Sequence, residues 1–366
     1  MPVYLNEKTK KYYCSFYYTD WQGKRKKKKK EGFTLARDAK EWERDFLNKA
    51  AANCDMKFNA LCEYYLEDYK TRRRPTTAKN REYSILKHFL PVFGDMQLSA
   101  ITPVTVRNWQ NTVINAGYAE TFQRSLNSYL SAIFNYAVKY YNLKDNPVRL
   151  AGSIGKGHAG RIDFWTVDEF NRFTAALTAE TPFSRQHIHR AANTETLLFA
   201  FNVLFYTGLR IGEFLALTVS DYNATEQTLN INKSLAVLNG APIIQPPKTT
   251  KSKRIISIPA KLCAMFDRYI ASMYEPQPGE RLFPMLNKHG LAKALKTTAK
   301  LAGIKAIRLH DLRHSHASML IELNISPLAI SERLGHDDVK TTLNTYSHLY
   351  PNKGSEVSQK INGLMP

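Results

Sequence analysis

Long apolar runs are missing from this sequence. The longest, Leu197 to Tyr206, is ten residues interrupted by Asn202, about half of what a membrane-spanning helix needs, so no membrane role is expected. Cysteine is scarce too. Cys14, Cys54, Cys62 and Cys263 are scattered and form no C-x-x-C pair, which excludes a disulfide framework and the commonest zinc-site spacing. No charged start runs into an apolar stretch and a small-residue cleavage site, so no secretory signal is expected and the protein reads as cytoplasmic. The nucleotide-cradling pattern G-x-x-x-x-G-K is absent as well, and with it the simplest sign of an ATP-driven enzyme. Acidic residues are the last shortage: 32 Asp and Glu face 52 Lys and Arg, a net charge of +20.

At 43% hydrophobic and 23% charged, the 366 residues can bury real cores, with room for two or three domains of roughly 150 residues each. The positive charge is spread along the chain. Residues 1–52 hold 14 basic and 7 acidic side chains, residues 53–152 hold 13 and 8, and residues 153–366 hold 25 and 17. Three basic segments point to a polyanion contacted along the whole length, nucleic acid before any other.

The densest basic run is Lys24, Arg25, Lys26, Lys27, Lys28, Lys29 and Lys30. Alone it could be a solvated loop or an import tag. Its neighbours favour a β-ribbon. Lys11 to Tyr18 is rich in Tyr and Phe, residues 20–23 form a turn, and the basic run returns as a second strand. Thr34 then caps a helix from Leu35 to Ala51. A small sheet backed by one helix, with a basic face, suits a DNA groove. Lys24, Arg25, Lys26, Lys27 and Lys28 are the candidate DNA contacts.

Residues 56–152 read as helices. Thr102-Pro103 opens one that ends near Gly117, and a longer one runs from Glu120 to Tyr141 with Phe122, Leu126, Tyr129, Ile133, Ala137 and Tyr140 as its core stripe. Arg72, Arg73 and Arg74, before Pro75, are further candidate phosphate contacts. Four glycines between Gly152 and Gly160 read as a flexible linker, residues 153–162. Thr166 and Glu169 have capping-box spacing and open a new domain near Asp163.

That last domain carries the chemistry-bearing clusters. Thr207-Gly208-Leu209-Arg210-Ile211-Gly212-Glu213 joins an apolar helix to another. Pro247-Lys248-Thr249-Thr250-Lys251-Ser252-Lys253-Arg254 reads as a basic hairpin tip between strands Pro242–Gln245 and Ile255–Ile258. His310-Asp311-Leu312-Arg313-His314, Leu334-Gly335-His336 and Thr345-Tyr346 follow. His310 and His314 have the spacing of a zinc helix, but Asp311 stands where a zinc protease needs Glu, Arg313 would lie beside the metal, and no third ligand is suitably spaced. No metal is expected.

In that order, Arg210, Lys248, His310, Arg313, His336 and Tyr346 resemble the active site of the tyrosine recombinases, the phage-integrase family. The match covers T-G-L-R-x-G-E, P-K-T-x-x-S-x-R, H-D-L-R-H-S-H-A, L-G-H and a Tyr ten residues beyond, roughly residues 163–350. The resemblance implies a multidomain α+β fold, mainly α with small β-sheets. An arm-type DNA-binding domain (1–52) precedes a helical, SAM-like core-binding domain (56–152) and a mixed α/β catalytic domain (163–366). It implies a site-specific recombinase that integrates and excises a mobile element, such as a prophage or conjugative transposon, without a cofactor. It also implies double-stranded DNA as partner, a homotetramer on that DNA, a DNA-bending host factor and an excision factor.

The chemistry suits these residue types. A phosphodiester cut by transesterification needs an oxygen nucleophile, which Tyr346 supplies, and the phosphotyrosine conserves the bond energy for rejoining. Arg210 and Arg313 can each fork two hydrogen bonds to the non-bridging oxygens. His310 and His336 can hydrogen-bond the phosphate, and His310 could help accept the Tyr proton. By resemblance Lys248 protonates the leaving oxygen, though Lys251 and Lys253 share its turn. Glu213 is expected to buttress the turn presenting Arg210, and His314 the helix carrying Arg313. A DNA-binding regulator that no longer cuts is the alternative; a metal-dependent nuclease would need more carboxylates near the motifs than Asp311, Asp337 and Asp338.

Overall fold

The computed structural model describes residues 3–7, 9–19, 25–52, 56–157, 163–179, 194–247, 250–347 and 362. The chain divides into two units, Met1–Gly160 and Arg161–Pro366.

In the first unit, strands Val3–Asn6 (β1), Lys11–Thr19 (β2) and Arg25–Phe33 (β3) form an antiparallel sheet in the order β1-β2-β3. The sequence predicts only the last two strands. Four residues are too few to display an alternating pattern, so β1 is invisible before folding. Cys14 and Phe16 are buried, and Phe16 packs on Trp42 and Phe46 of the helix Ala36–Ala52, with ring centroids 6.2 and 5.5 Å away. Side chains alternate across a strand. The opposite face therefore carries Tyr13 and Tyr17 with Arg25 and Lys27, the Arg25 guanidinium lying 4.4 Å from the Tyr17 ring centre.

The helical part of this unit comprises Phe58–Arg72, Pro75–Ser84, Leu90–Phe93, Pro103–Asn115, Glu120–Tyr140 and Pro147–Ala151. A π-helical stretch, Ile85–Phe89, precedes Pro91, where the missing N–H breaks the regular ladder. The capping box at Thr102 is present. The predicted stripe on Glu120–Tyr140 needs correction: Phe122 and Tyr140 are exposed, and the core is built by Leu126, Leu130, Ile133, Phe134 and Ala137. The two displaced aromatics pair at the surface instead, Phe122 with Tyr118 and Tyr140 with Tyr136.

The glycines after this bundle also differ from the flexible linker expected. Gly152 caps Pro147–Ala151 at φ +85°, and its carbonyl accepts from Gln110 Nε2 at 2.8 Å. Gly155, at φ +71°, lies so close to the helix Glu120–Tyr140 that a Cβ would sit 2.0 Å from the Glu120 carbonyl. Close approach, more than freedom, explains these two positions. Residues 158–162 lie outside the described residues.

In the second unit, helices Val167–Thr178, Thr194–Thr207 and Ile211–Leu215 lead into a small antiparallel sheet of Tyr222–Asn223, Thr228–Ile231 and Arg254–Ser257. Helices Ala260–Ala271, Lys288–Leu301, Asp311–Glu322, Pro327–Leu334 and Val339–Tyr346 follow. Phe170 stacks on Phe205 at 3.9 Å in the core. The capping box at Thr166 and Glu169 forms as predicted.

The hairpin is reassigned. Ala241–Gln245 pairs with Ser234–Leu238, while Arg254–Ser257 pairs with Thr228–Ile231 in the other sheet. The basic segment thus connects two sheets and is not a hairpin tip. Asn239 and Gly240 make the true turn with φ of +52° and +82°, the Asn-Gly signature of a two-residue hairpin. Among the described residues no helix is long and apolar enough to cross a membrane.

Candidate active site

The apolar helix Thr194–Thr207 ends at Gly208, whose φ is +65°. A Cβ there would lie 2.7 Å from His316 Cδ2 and 2.8 Å from Leu334 Cδ2. The tight turn puts the Gly208 carbonyl within 2.9 Å of Arg313 Nη1, which donates to it. Gly208→Ala is therefore expected to cost about 2 kcal/mol or more, from left-handed strain and a clash with a fully buried imidazole. Urea denaturation measures this, and DNA cleavage should fall with it because Arg313 loses an anchor.

Arg210 stands at the start of the next helix. Glu213, only 4% exposed, folds back on it, accepting from Arg210 N at 3.1 Å and Arg210 Nη1 at 2.8 Å. Its other oxygen-bound partner is Arg254 Nη2, at 2.9 Å. Burial raises the Glu213 pKa, but Arg254 and Arg210 outweigh it and hold the carboxyl below its ordinary 4.5.

The facing wall comes from the turn after Pro327–Leu334. Gly335 ends that helix in the left-handed conformation, the usual helix stop. Two carbonyls of this turn are exposed to donors: Leu334 O accepts from Arg313 Nη2 at 2.7 Å and Gly335 O from Arg210 Nη2 at 3.1 Å. Both guanidiniums are therefore fixed to one turn, and the next residue is His336. Its Nδ1 pairs with Thr342 Oγ1 at 2.8 Å. Burial, then Arg313 and Arg210, lower its pKa to about 4.

Arg313 is buried, and desolvation together with Arg210 pulls its pKa down to about 9. Arg210, Arg254 and Arg313 have one carboxylate among them, Glu213. An excess of fixed positive charge in a partly dry pocket is what a bound phosphodiester would neutralise. A cavity of 610 Å³ opens beside this turn, lined in part by Lys251, Lys253, Arg254, His336 and Asp337.

Tyr346 closes the helix Val339–Tyr346 and is 2% exposed. It packs with Ala317, Ile321, Ile330 and Leu334, and burial pushes its phenol above the ordinary range. Its hydroxyl pairs with His314 Nδ1 at 2.5 Å. From sequence His310 could help accept the Tyr proton and His314 supports the helix carrying Arg313; in the structure it is His314 that meets the hydroxyl. His310 stands four residues earlier, exposed, its ring perpendicular to His314 at 5.1 Å. One helical turn moves the ring nitrogen from the hydroxyl, a distinction that i,i+4 spacing cannot make.

Arg210 and Arg313 are thus bonded to one turn, His336 belongs to it, Tyr346 packs on its Leu334, and His310 lies beside His314. Lys248 lies outside the described residues, as does Lys24. Lys251 Nζ donates to the Asp337 carbonyl at 2.7 Å, and Lys253 is exposed. In the N-terminal sheet the alternation splits the basic run. Arg25 and Lys27 share the open face with Tyr17, whereas Lys26 and Lys28 lie on the helix side, Lys28 over Phe46. Arg72 pairs with Asp68 at 2.8 Å, Arg73 lies 5.8 Å from the Tyr69 ring centre, and Arg74 precedes the next helix.

Three supporting residues had no role assigned from sequence. Arg254 donates to the Arg333 carbonyl at 2.8 Å as well as to Glu213, tying the lysine-bearing segment to Arg210's carboxylate. Arg333 Nε donates to His316 Nε2 at 3.0 Å, and His316 Nδ1 pairs with the Phe205 carbonyl at 2.9 Å. Arg254 and His316 at least lie inside quoted motifs, whereas Arg333 stands just before Leu334-Gly335-His336; nothing local announces a buried cation.

His316 also sets a pH dependence. Desolvation, then Arg333, lower its pKa from 6.5 to about 3. The unfolded chain takes up this proton first, so stability is full above 6.5 and lost progressively as pH falls toward 3. Denaturation is expected to lose about 2 kcal/mol between pH 7 and pH 5 from this residue alone. His316→Gln should flatten that slope; an unchanged slope would refute the assignment.

Known proteins resemble this chain over most of its length. The Phage integrase family profile matches residues 166–353. The profile "Phage integrase, N-terminal SAM-like domain" matches residues 57–114, and that of the Arm DNA-binding domain residues 2–50. The ICEBs1 integrase of Bacillus subtilis (strain 168) is 29% identical over 337 residues, covering 87% of this chain and 86% of the relative. In fold, the chain resembles the Tn1549 transposon integrase in complex with a circular intermediate DNA, with a TM-score of 0.67 at 17% identity, covering 83% of this chain and 99% of that one. It also resembles a lambda integrase tetramer bound to a Holliday junction, with a TM-score of 0.57 at 19% identity, covering 92% and 96%.

Proposed function

Because the chain belongs to the phage integrase family, we propose that it cuts and rejoins DNA through a 3′-phosphotyrosine at Tyr346. It is a tyrosine site-specific recombinase that integrates a mobile element. The observation that carries the residue assignment is the shared turn at Leu334–His336, on which both arginines converge. The scissile phosphate binds against Arg210, Arg313 and His336, with His310 at the open edge. Fixed donors there stabilise the pentavalent phosphorane without reorganising. As the Tyr346 oxygen bonds to phosphorus, the bond to the 5′ oxygen breaks, and Lys248 gives that oxygen a proton. Reversal by another strand's 5′-hydroxyl reseals the DNA with no cofactor.

The modules are residues 1–52 on arm-type sites, 56–152 on core-type sites, and the catalytic domain from 163. The open face with Arg25, Lys27 and Tyr17 grips the arm site. The protein works as a homotetramer on two DNA sites, with a DNA-bending host factor and an excision factor setting direction.

The test is a suicide substrate, the element's joined ends nicked near the crossover. Wild-type protein is expected to form a covalent adduct, unchanged in EDTA, on a denaturing gel. No adduct on any such DNA would favour a regulator that only binds; loss in EDTA would favour a metal-dependent nuclease.

A further inference from the structure

We propose that His314 is a catalytic residue, the general base whose Nδ1 takes the Tyr346 proton as the phenol attacks phosphorus; this rests on Tyr346 being the nucleophile. The Tyr346 hydroxyl and His314 Nδ1 are 2.5 Å apart, well inside the reach a proton acceptor needs. The pair is held from both sides. His314 sits on the helix Asp311–Glu322 one residue beyond Arg313, whose guanidinium is pinned to Gly208 O and Leu334 O. Tyr346 is wedged among Ala317, Ile321, Ile330 and Leu334. Sliding the ring away would break that packing, so the contact is built in.

The groups around His314 explain how the base is switched on. From its own helix it meets His310, Asp311 and Arg313, with Arg308 just before; Tyr346 faces it from the helix Val339–Tyr346 and His336 from the turn after Pro327–Leu334. Desolvation, His310 and the arginines hold His314 neutral, with a pKa lowered to about 4. Two neutral partners share one hydrogen bond, and the phenol O–H, the more acidic, donates it. A phosphodiester arriving among these cations adds a negative charge, which stabilises an imidazolium and raises the pKa of His314. The base thus gains strength when substrate is present.

The step balances. The phenol proton passes to Nδ1, the oxygen–phosphorus bond forms, the bond to the 5′ oxygen breaks, and that oxygen is protonated separately by the acid. In rejoining, the His314 imidazolium returns its proton to the departing Tyr346 oxygen. His310, on the open edge, contacts phosphate and does not take this proton.

The experiment measures single-turnover cleavage from pH 5 to pH 8 for wild type, His314→Gln and His310→Gln, with DNA binding and melting as controls for folding. His314→Gln is expected to lose on the order of 10² to 10⁴ in rate and the limb that rises with pH. A substrate with sulfur at the 5′ bridging position needs no acid, so it should rescue Lys248→Ala but not His314→Gln. A more acidic fluorinated tyrosine at 346 should recover part of the His314→Gln loss, which a merely structural role would not allow. Cleavage by His314→Gln within about threefold of wild type, with the same pH profile, would overturn the proposal, as would rescue by the bridging sulfur. Should His314→Gln fail to fold, ¹⁵N NMR of the wild-type chain decides: an unprotonated Nδ1 is expected, and a protonated one sinks the idea. A wild type that never forms an adduct would instead sink the recombinase reading.

Discussion

Tyr346→Phe is expected to remove covalent attachment to DNA entirely, while affinity for the same DNA stays within about twofold. The substitution deletes one oxygen. The ring still fits among Ala317, Ile321, Ile330 and Leu334, so no cavity forms. His314 loses its 2.5 Å partner, which should cost about 1–3 kcal/mol for a nitrogen left unsatisfied and lower the melting point only modestly. Affinity survives because most of it comes from cations spread over the chain, a net +20, gripping phosphates without chemistry. Those contacts predict steep salt dependence, equal in wild type and variant. A denaturing gel separates adduct from complex and a mobility shift measures binding. An adduct persisting in Tyr346→Phe would move the nucleophile to another residue; a collapse of binding would mean the hydroxyl is structural.

How much of this could be read before folding depends on whether the signal is local. The Thr166 and Glu169 capping box, the Thr102-Pro103 helix start and the apolar helix ending at Thr207 are set by neighbours three or four residues apart, and they form where expected. Tyr346 stood out among twenty tyrosines only by its distance from the other motifs. Local signals can also mislead. Asn239-Gly240 marks a hairpin plainly, yet the basic run beyond it drew the strands into the wrong pairing. In sequence Gly155 reads as freedom, because the chain against which it packs is over thirty residues away. Choosing between His310 and His314 for the Tyr346 hydroxyl needs the direction of a helix relative to another helix. Spacing holds no such information, and the same is true of Arg254, Arg333 and His316, whose partners are backbone carbonyls and side chains brought together only by the fold.

Glu213→Ala is expected to give the largest loss of stability, about 3–5 kcal/mol, together with a cleavage rate lower by on the order of 10² or more. Three cations, Arg210, Arg254 and Arg313, rely on this one buried carboxylate. Removing it leaves them repelling one another with Arg254 and Arg313 shielded from water, and frees Arg210 from two of its bonds. Arg254 would lose its hold on the segment that leads back to Lys248, so the acid and the phosphate clamp should fail together. Glu213→Gln keeps the shape and should cost less, since an amide oxygen can still accept from Arg254. The pH response separates charge from shape. The folded pKa of Glu213 lies below 4.5, so its stabilisation is complete above 4.5 and disappears as pH falls through that lower value. Glu213→Gln should lose this acid-side component while keeping the histidine-driven loss that begins near 6.5. DNA should stabilise Glu213→Ala more than wild type, because a phosphate then supplies the counter-charge that Glu213 no longer gives to the arginines. Urea titrations with and without DNA measure this, and equal stability of wild type and Glu213→Ala would show that the arginines need no common counter-charge.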